Sequence, residues 1–448
     1  MTSADSLNPS GAIPADTNTY LALIRTGAAN PELLERQYQA ARRAGAAGAF
    51  ASALFLAHQE SPDNLLLSAW YYRLHEPDGA SSRFASMWMW VVPIGVALGL
   101  AIWLFSEPSL VVRAHIPLLA FLAGPLVALA IVLFLATGGR RSLALPLAGV
   151  ALGAMGVYAF AFPATISSAG ALLILLHLPL LAWAAIGLAA LGWRSSARER
   201  FAFITKSLEA IGTGGVFGIA GGIFAAVAVG LFDVLNIHLP NEVIRLVVSL
   251  IAGLVTVFAV ATVYEPAQSP GQQEFGRGFG RLLNVLMRVL LALSLIVLVI
   301  YIVAIPFNFS APFQNRTTLI IYNVMLFGII ALLIGSTPIN TDGLSPRMQS
   351  LLRGAIVAVA ALTALVSLYA LAATIYRTAL GDFTMNRITI IGWNVINIAI
   401  LIALLLRQVR ATRENWSAAV QWVFAWGAIA YVVWAGVVGL VLPWLFAH

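Results

Sequence analysis

Cysteine is absent from the chain, which excludes disulfides, thiolate metal sites and cysteine nucleophiles together. Charge is scarce as well: 10% of the 448 residues are Asp, Glu, Lys or Arg, against about 25% in an average soluble protein. Lysine is nearly missing, Lys206 being the only one among 25 basic residues. No motif for nucleotide hydrolysis, serine or zinc hydrolysis, or flavin binding is present, so no cofactor and no catalytic residue is expected. The first 20 residues have neither a basic flank nor an apolar core, so no signal peptide is expected.

What fills the sequence instead is apolar, 60% hydrophobic in all. From residue 88 onward, runs of membrane-spanning length follow one another, each near the ~20 residues a bilayer requires. The expected spans are 88–106, 114–136, 143–163, 169–192, 211–235, 243–264, 283–305, 317–335, 354–376, 388–406 and 418–446. The fold class is therefore an all-α polytopic membrane protein of about eleven transmembrane helices with a small soluble helical domain ahead of them. Trp88, Trp90, Trp103, Trp193, Trp416 and Trp444 lie near span ends, where an interfacial aromatic belt places them.

The charge is unevenly divided. Residues 1–86 hold 6 Arg and 8 Asp/Glu, while residues 87–448 hold 19 Lys/Arg and 10 Asp/Glu. The basic excess thus belongs to the membrane part, and nucleic-acid binding is a poor explanation for it. With the amino terminus placed in the cytoplasm, the inner segments carry 20 bases and the outer ones five, or 14 to five without the leading domain. Cytoplasmic loops hold the excess of Lys and Arg, so the expectation is a plasma-membrane protein with its amino terminus inside and its carboxyl terminus outside.

Residues 1–17 read as a disordered tail and 18–86 as a cytoplasmic helical domain. Asn30-Pro31-Glu32 supplies a cap and a first-turn proline. A second helix runs through Phe50, Leu54, Ala57 and His58, and Ser61-Pro62-Asp63-Asn64 opens a third. Gly45, Ala57 and Pro62 fall where a tetratricopeptide-like hairpin puts a turn glycine, a packing residue and a proline. Only one such repeat is visible, so a small bundle is expected, with residues 30–76 as the surface for a protein partner.

The rest of the chain is arranged around the stretch 211–245. Gly214, Gly218 and Gly222 recur every four residues and are expected to form a stripe against which another helix packs closely. A dinucleotide cradle at Gly212-x-Gly214 fails, because Phe217 stands where the third glycine belongs.

Several polar groups are candidates for chemistry. Asp233, His238, Glu242 and Arg245 surround the turn after this stretch. They read as a capped interfacial turn with a Glu242–Arg245 pair, or alternatively as a proton-carrying or metal-binding cluster. Arg281, Asn284 and Arg288 are spaced for one helix face. They suit anchoring to anionic headgroups, or the holding of a phosphate-bearing lipid between helices. Asn394 and Asn397 share a face as interhelical glue, Asn323 stands alone in its span, and His115 and His177 read as packed or interfacial.

Gly381-Asp382-Phe383-Thr384-Met385-Asn386-Arg387 resembles a loop signature, Y-G-[LW]-T-x-[ND]-R, of multi-pass bacterial membrane proteins grouped as domain-of-unknown-function family 4153. Gly381, Thr384, Asn386 and Arg387 match; Asp382-Phe383 is one residue longer than the pattern, and the leading Tyr is missing. Residues 316–335 are similar to another stretch of those proteins, so the resemblance covers about the carboxyl-terminal two-fifths. It implies a multi-helical membrane protein and no activity. The functional expectation is a non-enzymatic scaffold, sensor or accessory subunit. A permease for a small or lipid-like molecule is the alternative, and a membrane enzyme acting on lipid phosphates is a third.

Overall fold

The computed structural model describes residues 15–74, 79–112, 116–139, 142–163, 165–235, 237–276, 278–314, 316–341, 343–381 and 383–446. It divides into two compact units, Met1–Trp88 and Met89–His448, close to the boundary expected after residue 86.

The first unit is built from α1 (Ala15–Gly27), α2 (Pro31–Arg43), α3 (Ala47–Glu60) and α4 (Leu65–Leu74). The cap expected at Asn30 is made: its side chain accepts from the Leu33 N–H at 3.1 Å, worth about 1 kcal/mol. α2 ends because Gly45 takes φ +73° and Ala46 N–H bonds back to the Ala41 carbonyl, the left-handed stop that glycine allows without strain. α4 is capped by Asn64, which accepts from Leu66 and Leu67 N–H. Phe50 is fully buried, ringed by Tyr20, Tyr38 and Trp70 at centroid distances of 5.6–6.4 Å. The α2–α3 hairpin is therefore closed over by α1 and α4 around a filled centre. Of the tail expected at 1–17, residues 1–14 lie outside the described part; Ala15 onward is helical, and Thr17 is buried.

The second unit holds the part of α5 (Gly79–Phe105) from Met89 on, then α6 (Leu118–Ala136), α7 (Ala144–Ala161), α8 (Ser168–Leu191), α9 (Ala197–Val234) and α10 (Asn241–Val263). There follow α11 (Gly278–Ala304), a single turn α12 (Ala311–Gln314), α13 (Arg316–Ser336), α14 (Pro346–Ala379), α15 (Met385–Arg410), α16 (Trp416–Gly436) and the short α17 (Leu442–Leu445). No strand occurs among the described residues beyond one isolated bridge, Val111–Pro117. Helices that are apolar on every side belong in lipid or in a large core, where the backbone must satisfy its own hydrogen bonds.

Among the described residues ten helices are long and apolar enough to cross a membrane, and α5 adds a shorter apolar stretch, Met89–Phe105. Each of the eleven expected spans coincides with one of these eleven. Several helices overrun their expected ends; the span expected at 211–235 is the second half of the 38-residue α9. Successive loops alternate between the two ends of the unit. At one end Gly138 abuts Pro266 and Arg198 donates to Asn340 at 2.8 Å. At the other, Arg245 pairs with Glu107 at 2.6 Å, Phe162 meets Trp444 and Tyr369 donates to the Phe309 carbonyl at 2.6 Å.

The main core joins the start of α9 (Phe201, Ile204) to α11, α13, α14, α15 and α16, with Ile356, Leu401, Leu404 and Val420 fully buried. A second layer packs α6, α7 and α8. Where α6 crosses α8, Gly124 faces the helix proline Pro179, and a Cβ there would sit 2.9 Å from Pro179 Cα. Between α16 and α17 the last span widens into a π-turn, Val437–Val441. Such a turn frees a carbonyl, and Tyr158 donates to that of Gly439 at 3.0 Å.

The glycine stripe is where the structure departs furthest from expectation. Gly214 makes an ordinary contact with Ala259, at 3.5 Å from a would-be Cβ, but Gly218 and Gly222 face open space within the chain. The half of α9 beyond Thr213 is peripheral: only 6% of its most apolar window is buried, against 50% for α6 and α8. The tight glycine crossing lies elsewhere. Gly95 and Gly99 of α5 meet Gly253 of α10 backbone to backbone; a Cβ on Gly99 would lie 2.7 Å from Leu250 Cα, and one on Gly253 2.6 Å from Gly99 Cα. The physical cause advanced for the stripe, close van der Waals approach of two helices in lipid, operates here through a different set of glycines.

Candidate functional site

The most strongly built polar feature sits where α9 begins. Ser196 caps the helix, accepting from the Glu199 N–H at 3.2 Å. Lys206 and Glu209, three residues apart and so on one face, are both buried, at 5% and 3% exposure. Lys206 Nζ donates to Glu209 Oε2 at 2.6 Å and to the Glu274 carbonyl at 2.5 Å, and it lies 4.7 Å from the centre of the Phe275 ring. Glu209 Oε1 is buried with no hydrogen-bond partner among the described residues. It presses on Gly280, where a Cβ would come within 2.9 Å. Two turns before Lys206 on the same face, Glu199 accepts from Ser269 Oγ at 3.0 Å and from the Gly271 N–H at 2.8 Å. Glu199 and Lys206 of α9 thus clamp the 264–276 loop, with Glu209 bonded to Lys206, and carboxylates occupy the space beside Gly271 and Gly280. This clamp was missed in the sequence, although the i, i+3 spacing of Lys206 and Glu209 was there to be read.

Beside the clamp lies a cavity of about 30 Å³ lined by Thr205, Phe275, Asn284, Arg288, Ser336 and Thr337, among others. One water needs roughly 10–15 Å³ measured in this way, so it has room for about two water-sized atoms. Its far wall is pinned from α16: Ser417 and Gln421 donate to the Pro338 carbonyl at 2.6 and 2.9 Å, and Gln421 also to that of Ile339 at 3.0 Å. The lining hydroxyls have spent their protons on backbone carbonyls, Thr205 on Phe201, Ser336 on Met287 and Thr337 on Leu333. Asn284 and Arg288 share the face that their spacing implies. Arg281, grouped with them in the sequence, is exposed and does not line the cavity.

Deep in the bundle the asparagines behave as expected of interhelical glue. Asn394 Nδ2 donates to Asn323 Oδ1 at 2.9 Å, joining α15 to α13, and Tyr431 on α16 donates to Asn397 Oδ1. Asn323 is therefore paired across helices, contrary to its isolated look in the sequence. His177 is packed, as expected. Its Nε2 accepts from Trp393 Nε1 at 3.1 Å while Nδ1 donates to the Leu173 carbonyl at 2.8 Å, an arrangement that requires the neutral imidazole. His115 lies outside the described residues.

The turn after α9 does not assemble into a site. Asp233, His238 and Glu242 are exposed, and no group of three potential metal ligands exists among the described residues. The expected Glu242–Arg245 pair forms, joined by Glu107 from the α5–α6 loop. The metal reading has no geometric support, and the interfacial-turn reading fits.

The loop before α15 places Gly381 against Arg387: a Cβ there would sit 3.0 Å from Arg387 Nη1. A side chain at 381 would displace the guanidinium, which links those two residues of the quoted motif physically. No protein-family model, curated protein or solved structure matches the chain.

Proposed function

We propose that this protein is a non-enzymatic component of a membrane assembly, a scaffold or accessory subunit whose amino-terminal helical unit docks a partner. One observation carries the reading. Several polar groups inside the bundle are committed to one another across helices or loops: Asn323 to Asn394, Tyr431 to Asn397, Trp393 to His177 and Lys206 to the Glu274 carbonyl. Such pairings fix helix positions in lipid and suit a stable frame. The amino-terminal unit adds an aromatic surface in which Tyr72 is 74% exposed and His58 stacks on Tyr71 at 4.7 Å, the kind of amphipathic surface that protein interfaces favour. The resemblance to family 4153 is compatible with this role and specifies nothing narrower.

The orientation belongs to the same proposal: plasma membrane, amino terminus inside, the clamp and its basic loops facing the cytoplasm, supported by the excess of bases at that end. A reporter inserted near Arg198 is expected to behave as cytoplasmic and one fused after His448 as extracytoplasmic; the reverse pattern refutes the topology. For the assembly role, the full chain is extracted with its native lipids and its mass measured. A stoichiometric second polypeptide that is lost on Tyr72→Ser with Phe55→Ser supports the reading. A bare protomer or homo-oligomer, with solute flux in proteoliposomes, favours the permease alternative.

A further inference from the structure

We propose that the cavity beside Arg288 is a binding site for a phosphate-type oxyanion, which enters with two of its oxygens. The inference goes beyond the assembly role and does not depend on it.

Arg288 is the tenth residue after Gly278 at the start of α11, so it lies ~15 Å along the helix at 1.5 Å per residue. That depth is well inside a membrane-spanning segment. A cation there ordinarily finds a partner, because desolvating an unpaired charge is costly. Arg288 has none among the described residues: no carboxylate is within ion-pair distance, and its Nε is buried without a hydrogen bond. Lys206, the buried cation at this end, is engaged by Glu209 and the Glu274 carbonyl, whereas Arg288 is half-buried. Arg288 is left without a partner among the described residues.

The surroundings select the ligand. Because Thr205, Ser336 and Thr337 donate to backbone carbonyls, the unspent donors at the cavity are the Arg288 guanidinium and the Asn284 amide, one helical turn apart. The guanidinium carries donors and no acceptor, which suits an anion, and the Asn284 Nδ2 can add a further N–H. A guanidinium presents two parallel N–H groups that match two oxygens of a phosphate, and the cavity, at about 30 Å³, accommodates about two oxygen-sized atoms. A whole headgroup does not fit, so the rest of the ligand stays outside. The walls are held by Gln421, Ser417 and Lys206, which preorganises the site. The oxyanion could be free phosphate or the phosphate of a lipid, and the chemistry of recognition is shared.

The test uses the purified full chain. Thermal stability is followed while inorganic phosphate is titrated in a neutral detergent, and separately in phosphatidylcholine nanodiscs with and without phosphatidic acid. Saturable stabilisation by inorganic phosphate identifies a free oxyanion; stabilisation by phosphatidic acid alone identifies a headgroup. Arg288→Gln is expected to weaken the apparent affinity by about tenfold or more, the loss of one charged hydrogen-bonded contact, and Asn284→Ala by several-fold. Arg281→Gln, exposed and off the cavity, is expected to bind as the parent does. Should Arg288→Gln fail to fold, Arg288→Lys keeps the charge without the fork and is expected to bind more weakly. The proposal is overturned if neither source stabilises the parent, or if the folded Arg288 and Asn284 variants bind as the parent does.

Discussion

Gly253→Ala isolates the backbone contact between α5 and α10. The added methyl would stand 2.6 Å from Gly99 Cα, with Gly99 N and Gly95 O as further neighbours. All three are backbone atoms, so no rotamer change can clear them. Carbon pairs rest at about 3.5–4.0 Å, so the helices must part by roughly 1 Å. A gap of that size forfeits about a quarter to a half of each contact, and with roughly 30 pairs at about 0.15 kcal/mol each the loss comes to about 1–2 kcal/mol. That agrees with the roughly 1–3 kcal/mol typical of overpacking. Gly218→Leu is the counterpart: it introduces a far larger side chain into open space and is expected to leave stability within about 0.5 kcal/mol. Unfolding in mixed micelles, with denaturing detergent titrated against the parent and both variants, measures the difference. Gly253→Ala as stable as the parent would refute the crossing, and so would Gly218→Leu proving the more damaging of the two.

Breaking the clamp is expected to be more severe. Lys206→Met leaves Glu209 buried without its partner, at a cost of about 3–5 kcal/mol, whereas Lys206→Met with Glu209→Leu is expected to recover most of it; equal losses in the single and double variants would mean that the pair is not coupled. Acid is expected to loosen the amino-terminal unit. The hydrogen bond from Arg25 holds the Glu60 carboxyl below its ordinary range, and hydrogen bonds from Gln39 and then Arg73 do the same for Glu35. Carboxylates depressed in the folded state add stability above their unfolded pKa, near 4.3, and lose it as pH falls through the lower folded value. Amide protection in residues 15–74, taken relative to the intrinsic exchange rate at each pH, should therefore be unchanged between neutrality and about pH 5 and fall below about pH 4, a fall that Glu60→Gln brings to neutral pH; a flat profile would count against these pairs.

The sequence exposed the membrane helices because their apolar runs are long and continuous, and the Asn30 cap because its partners are three residues away. Asn284 and Arg288 were legible as one face for the same local reason. Glycine spacing, by contrast, marks a stripe without saying which neighbour it meets. Gly218 and Gly222 on α9 face open space, while Gly95, Gly99 and Gly253 meet only because α5 and α10, some 150 residues apart in the chain, lie side by side. The same limit hid the Asn323–Asn394 bond and the place of Glu107 beside Arg245. Lys206 and Glu209 were overlooked for another reason: the helix was expected to open at residue 211, which left both in a loop, although Ser196 and Glu199 carry a legible start signal.

The claim that the polar groups of the bundle serve as locks between helices is tested most directly by a double-mutant cycle on Asn323 and Asn394. Asn323→Ala, Asn394→Ala and the double variant are unfolded in mixed micelles alongside the parent. The account expects a coupling of about 0.6 kcal/mol, up to about 1.7, the range for interhelical hydrogen bonds in membranes. Strict additivity, or variants that alter solute flux in proteoliposomes while leaving stability untouched, would contradict it.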